Sequence, residues 1–138
     1  MADGETRESQ AGGPDHGAIE LVIPARPELL QLVRMAAGVV AARAALGFED
    51  VEDLRLAVDE LCLPLIGAHG HDGRLLLDYR WDEGSIGISC RCTNGGGGRD
   101  ALSSQILDAL VDEHGESDID GMATVWLTFR RRSNEGVG

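Results

Sequence analysis

The sequence predicts an α+β fold, a two-layer sandwich with a mixed, mostly antiparallel sheet and helices on one face. Two observations lead there. Apolar residues recur at steps of three and four in three long stretches, and at steps of two in most of the others. The resulting order is strand, helix, helix, strand, strand, helix, strand, strand, which packs as one helical layer on one sheet. A chain of 138 residues, 43% hydrophobic and 26% charged, is long enough for a single core and ordinary for a globular domain.

Residues 1–17 are polar and rich in Gly, Asp and Glu, with no apolar period, and read as a disordered N-terminal tail. The folded domain spans 18–132, and 133–138 form a short C-terminal tail. Ile19–Pro24 is a short apolar run ending in proline, which suits an edge strand. Pro27 fits the first position of a helix over Glu28–Leu46, with Leu29, Leu32, Val33, Ala36, Val39, Val40 and Ala44 on its apolar face. Ala36, Ala37 and Ala41 keep this helix slim, so another helix or a partner can approach closely. Gly47 is its expected stop. By residue type alone, Arg34 and Arg43 are solvated polar-face positions.

The second helix is the most strongly patterned stretch. In Asp50–Ile66, Val51, Leu54, Val58, Leu61 and Leu65 form one face, and Glu52, Asp53, Arg55 and Asp59 fill the other. Asp50 stands where an N-cap is expected, and Pro64 should kink or end the helix near Leu63. Gly67–Gly73 is a turn region whose His69 and His71 read as solvated. Arg74–Trp81 and Ser85–Cys92 are paired strands joined through Asp82, Glu83 and Gly84. Cys90 and Cys92 share a strand face with Ile86 and Ile88, which reads as buried thiols acting as small hydrophobes. A zinc site using these thiols with His69 and His71 is the alternative, without the C-x-x-C spacing usual in such sites.

Thr93–Gly98 is a glycine-rich loop after a strand, a place where backbone N–H groups can cradle phosphate, but no G-K-[ST] follows. A flexible, ligand-free loop is the other reading. Asp100–Glu113 is the third helix, with Leu102, Ile106, Ala109 and Leu110 as its buried stripe. Glu116–Asp120 is a short strand, Gly121 a turn and Met122–Arg130 the last strand. Arg130, Arg131 and Arg132 begin a polar end.

Charge narrows the function classes. A formal net charge of −12 disfavours direct nucleic-acid binding and favours a basic protein partner. No apolar run reaches membrane-spanning length and no basic region precedes an apolar stretch at the N-terminus, so the chain is expected to be cytoplasmic and not membrane-bound. Three cysteines, Cys62, Cys90 and Cys92, do not make a disulfide framework, and reduced thiols fit that compartment.

The stretch DLRLAVDELC, Asp53–Cys62, resembles the N-box helix of the GHKL (Bergerat-fold) ATPase superfamily. More narrowly it is similar to the RsbW-type anti-sigma switch-protein kinases, whose helix reads roughly D-L-R-L-A-V-D-E-x-x-x-N. The resemblance covers about Ile19–Arg132 and implies the Bergerat fold. It assigns Glu60 the place of the general base. It puts Pro64 where an asparagine holds the magnesium of bound ATP, so that metal ligand is missing. Aligning the family's D-x-G-x-G loop sets Thr93 at the adenine-binding aspartate, with Gly95 and Gly97 as the loop glycines. The family's second glycine box falls on Ala101–Ser104, which has no glycine. The first helix, with Arg34 and Arg43, corresponds to part of a sigma-binding surface. The resemblance therefore implies an anti-sigma factor, a homodimer that sequesters an alternative sigma factor and yields it to a STAS-type anti-anti-sigma antagonist, with ATP and magnesium binding weak or lost. The alternatives are an active ATP-dependent serine kinase using Glu60 as base, and a thiol- or metal-responsive regulator.

Overall fold

Period-two alternation sorts the strand side chains onto two faces, and the buried face is the floor on which the helices sit. Leu75, Leu77 and Tyr79 of β2 (Arg74–Asp82), Ile86, Ile88, Cys90 and Cys92 of β3 (Ser85–Cys92), and Val125, Leu127 and Phe129 of β5 (Met122–Arg130) are all buried. Register brings them into cross-strand rows, with Leu77 opposite Cys90 and Ile88 opposite both Tyr79 and Leu127. β1 (Gly17–Pro24) forms one edge beside β2, and β4 (Glu113–Ile119) forms the other beside β5, giving the order β1-β2-β3-β5-β4. The computed structural model describes residues 16–94 and 101–132. The tails expected at 1–17 and 133–138 therefore fall almost wholly outside the described residues, as do Gly95 and Gly97.

The two-layer α+β sandwich is the one the sequence predicts. Its sheet is more uniform than mixed, since all four pairings are antiparallel. No described helix is long and apolar enough to cross a membrane.

Helix α1 (Leu30–Arg43) follows a 3-10 turn at Pro27–Leu29 and buries Leu30, Val33, Ala37, Val40 and Ala41. It ends earlier than expected, and not at Gly47. Ala45 takes φ 65°, Leu46 N–H donates to the Ala41 carbonyl at 3.0 Å and Ala45 N–H to Ala42 at 3.1 Å. This is a Schellman ending with alanine in the left-handed position that glycine usually fills. Gly47 is released to cap the next helix instead.

Helix α2 (Phe48–Ile66) starts from Gly47, whose carbonyl accepts Val51 N–H at 3.0 Å. Asp50 is therefore not the N-cap. It lies buried in the first turn, and its Oδ2 accepts the backbone N–H of Arg132 at 3.0 Å, tying the end of β5 to the helix. Pro64 does not stop the helix near Leu63. The helix runs through it to Ile66 and ends at Gly67, φ 80°. Leu65 and Ile66 beyond the proline are buried. Burying two such side chains stabilises by about 3–6 kcal/mol, which offsets the roughly 3 kcal/mol cost of an interior proline.

Helix α3 (Ala101–Leu110) is shorter than the helix expected over Asp100–Glu113, because Glu113 already opens β4. The rim of the sheet is also more ordered than a polar end. Arg131 N–H donates to the Gly84 carbonyl at 2.7 Å, and Arg132 stacks over Phe129 while its Nη2 donates to the Leu110 carbonyl at 2.9 Å.

Candidate functional site

The motif carboxylate Glu60 stands on the face of α2 that meets α3. Its period places Leu56, Asp59, Glu60 and Leu63 along one side, just off the buried stripe of Leu54, Val58 and Leu61. Across from them α3 turns an unexpected face. Its buried residues are Ser103 and Leu107, while Leu102, expected in the core, is 64% exposed. Leu102, Ile106, Ala109 and Leu110 instead line a groove of about 530 Å³ against Leu56 and Leu63. A second hollow of about 470 Å³, beside His114 and Trp126, contains none of the motif residues.

Glu60 is not left open in this groove. Ser103 Oγ donates to its Oε1 at 3.2 Å. Ser103 belongs to the stretch aligned with the family's second glycine box. Here that stretch delivers a hydroxyl to the carboxylate where the resemblance implies glycines that close over phosphate. Pro64 lies one turn beyond Glu60 and offers no side-chain oxygen. Among the described residues that line the groove there is no cationic side chain; its polar members are Asp59, Glu60 and Gln105.

Thr93 and Arg34, two other expected site residues, are tied up elsewhere. Thr93 Oγ1 accepts Arg74 N–H at 2.8 Å, and Thr93 N–H donates to the Arg74 carbonyl at 2.9 Å, so this residue closes the β2–β3 end. Arg34 donates from one guanidinium nitrogen to Asp59 at 2.9 and 3.0 Å and clamps α1 to α2. Arg43 is exposed on the last turn of α1.

The histidine loop is partly built in. His69 is exposed as expected, but His71 is not solvated. Its Nδ1 accepts Gly73 N–H at 3.0 Å, which leaves the proton on Nε2, and Nε2 faces the Leu65 carbonyl at 3.1 Å. His71 thereby caps the last turn of α2. Sequence reasoning missed Ser103, Asp59 and His71 as partners. For Ser103 the signal was available: Ser103 and Leu107 recur at a helical step of four, in competition with the more apolar stripe beside them.

The three thiols gather under the same helix. Cys62, Cys90 and Cys92 are buried, Cys90 and Cys92 as the strand alternation predicts, and Cys62 Sγ lies 3.7 Å from Cys90 Sγ. Cys92 Sγ lies 3.5 Å from His71 Nε2. Among the described residues, no three His, Cys, Asp or Glu side chains converge into a metal-binding group. Burial pushes the Cys90 thiol well above its ordinary range, helped by the bond from Cys62, and burial raises Cys92 as well. The unfolded chain releases these protons from about pH 8.5, whereas the folded chain still holds them. Their contribution to stability is therefore complete below about pH 8.5 and is lost as pH rises above it. The urea midpoint should stay level from about pH 7 to 8 and fall between about pH 8.5 and 9.5. The fall should shrink in Cys90→Ala. An alkaline limb identical in that variant would show that Cys90 does not carry it.

With this geometry in view, the comparisons with known proteins are specific. A profile of the histidine kinase-like ATPase domain matches residues 23–133. The anti-sigma-F factor RsbW of Mycobacterium tuberculosis is 39% identical over 99 residues, covering 70% of this chain and 59% of that protein. The serine-protein kinase RsbW of Halalkalibacterium halodurans is 31% identical over 100 residues, covering 72% of this chain and 49% of that protein. That of Bacillus pumilus is 35% identical over 66 residues, covering 44% and 41%. The chain thus spans about three-fifths or less of the length of these relatives. The chain belongs to the histidine kinase-like ATPase domain family, and within it to the RsbW type.

Proposed function

We propose that this protein is an anti-sigma factor that acts by stoichiometric binding, without turning over ATP. One observation carries the loss of turnover: Ser103 is bonded to Glu60, with Pro64 following one turn later where the family pattern has a metal-binding asparagine. Magnesium takes oxygen ligands in near-octahedral array and bridges nucleotide phosphates to protein oxygen. Proline supplies none, the Thr93 hydroxyl oxygen accepts the Arg74 N–H, and the Glu60 carboxylate, with no cation among the described residues that line the groove, repels a triphosphate. The described residues do not fit ATP and magnesium, so no phosphoryl-transfer step is assigned to them.

Binding is supported by different features. The Mycobacterium tuberculosis relative is named for anti-sigma activity, and the chain carries net charge −12, which suits the basic regions of a sigma factor and hastens association at low salt. Leu32, Met35 and Val39 are exposed on α1 at helical spacing, beside Arg43 on the last turn. This is the surface we assign to the sigma factor, with release by an anti-anti-sigma antagonist and with the protein acting as a homodimer. Arg34 serves here as an internal clamp, since Asp59 occupies it.

The competing reading is an active serine kinase, favoured by retention of Glu60 and by relatives bearing that name. One experiment separates the two. The protein is incubated with magnesium, labelled ATP, a sigma factor and its antagonist from the same cell. We expect one-to-one inhibition of sigma-dependent transcription that is indifferent to ATP and unchanged in Glu60→Ala, with no label on the antagonist. Serine labelling that vanishes in Glu60→Ala would establish the kinase. No inhibition with any sigma factor of that cell would end the anti-sigma reading. A thiol switch is the weakest reading, because Cys62 and Cys90 are buried and Cys90 is held protonated.

A further inference from the structure

We infer that the groove between α2 and α3 is a docking site for a basic amphipathic helix of a partner protein. The inference rests on the reading above in one respect only, that the groove does not take a nucleotide. Its floor and walls are mainly aliphatic. Leu102 is 64% and Leu56 58% exposed, and Leu63 and Ile106 continue the same surface between them. Leaving such a stripe in water forfeits stabilisation that the inner face of α3 does not recover, since only Ser103 and Leu107 are buried there. A helix-in-groove mode reads apolar anchors at i, i+3, i+4 and i+7, and the groove's own anchors follow such steps, Leu102 and Ile106 four apart and Leu56 and Leu63 seven apart. The ten residues of α3 make a trough about 15 Å long, enough for about three turns of a bound helix.

Charge selects the occupant. Asp59 and Glu60 lie on the α2 wall; Asp59 is already held by Arg34, so Glu60 carries the selection, and no cation lines the groove among the described residues. Ser103 Oγ donates to Oε1 of Glu60, and a carboxylate has acceptor capacity beyond one such bond, which suits an incoming arginine or lysine. A second copy of this chain is a poor fit. A two-fold contact through this patch would set Glu60 against its own copy, between chains of net charge −12. Residues 1–15 and 133–138 also fit poorly. Residues 1–15 contain only Met1, Ala2 and Ala11 as hydrophobic residues, and 133–138 only Val137. A partner helix with leucine-type anchors and flanking cations satisfies both the apolar walls and the Glu60 carboxylate.

The test uses the full chain and a fluorescein-labelled model helix of about 18 residues, long enough to be helical on binding, with leucines on one face and arginines flanking them. A scrambled peptide and one with glutamate at every arginine position serve as counter-probes. We expect the basic helix to bind at least tenfold more tightly than either. Leu56→Ser and Leu102→Ser should each weaken it at least tenfold, whereas Val22→Ser, 52% exposed on β1 and outside the groove, should leave it unchanged. These leucines are already exposed, so the variants keep the wild-type melting temperature. The inference is overturned if the scrambled or acidic peptide binds as well, or if both leucine variants retain full affinity. It is also overturned if those variants convert a dimer to a monomer, which would make a second copy the occupant. Displacement of the helix by magnesium-ATP would overturn the nucleotide-free reading as well. Failure of the peptide to bind while ATP remains inert would remove this inference alone.

Discussion

Gly73→Ala should destabilise the protein by about 3 kcal/mol and lower its melting temperature by roughly 10–20 °C. A Cβ at residue 73 would overlap the backbone carbonyl oxygen of Thr93 and sit 2.8 Å from Cε1 of His71. Neither neighbour can yield cheaply. Thr93 is held by two hydrogen bonds to Arg74, and the His71 ring is fixed between Gly73 N–H and the Leu65 carbonyl. Gly73 also accepts Ala25 N–H at 3.0 Å, which joins the β2 end to the turn before α1. One methyl group thus strains the His71 cap of α2, the closure of β3 and the entry to α1 together. Gly38→Ala is the control with opposite sign. Gly38 is inside α1 with nothing within 4 Å of an added Cβ, so alanine there should stabilise by about 0.5–1 kcal/mol. Urea midpoints of the two variants check both values. A Gly73→Ala protein as stable as wild type would mean that the histidine loop is not packed as described.

How far the residues announced this architecture differs from element to element. The face of α2 was legible because Leu54, Val58 and Leu61 obey one period and all end up buried. Its ends were less legible. Gly47 can stop one helix or start the next, and only the hydrogen bonds of Ala45 and Leu46 decide between them. Pro64 was misleading because a local rule about the helix interior competes with burial of Leu65 and Ile66, and the burial is tertiary. Helix α3 misled for another reason. Its strongest apolar stripe faces a groove, and periodicity reports that a stripe exists without saying what covers it. At the site, Glu60 was legible from its motif, whereas Ser103, 43 residues away, was not, and neither was the Arg34–Asp59 clamp across 25 residues. Pairings at such separations depend on how the helices are brought together, which single-residue chemistry does not encode.

Tyr79→Ala should cost about 4 kcal/mol, in the range for deleting a buried aromatic side chain. Tyr79 is among the largest fully buried side chains, in the middle of the sheet between Ile19 on β1 and Ile88 on β3. Its hydroxyl donates to the Val33 carbonyl of α1 at 3.0 Å, the point where the sheet grips the first helix. Tyr79→Phe separates the two contributions. It keeps the ring and removes one neutral hydrogen bond, for an expected loss of about 1 kcal/mol. The residue following Val33 is Arg34, which holds Asp59 on α2, so a cavity at Tyr79 loosens the floor under both helices that present the proposed binding surfaces. For a domain whose total stability is about 5–15 kcal/mol, the alanine variant forfeits a quarter or more of the margin, while the phenylalanine variant keeps nearly all of it. Urea unfolding should therefore show Tyr79→Phe close to wild type and Tyr79→Ala far below it, both with unchanged m-values. The phenylalanine variant should also retain full partner affinity at room temperature. If Tyr79→Phe proves as damaging as Tyr79→Ala, the hydroxyl bond to Val33, and not the packing of the ring, is what seats α1 on the sheet.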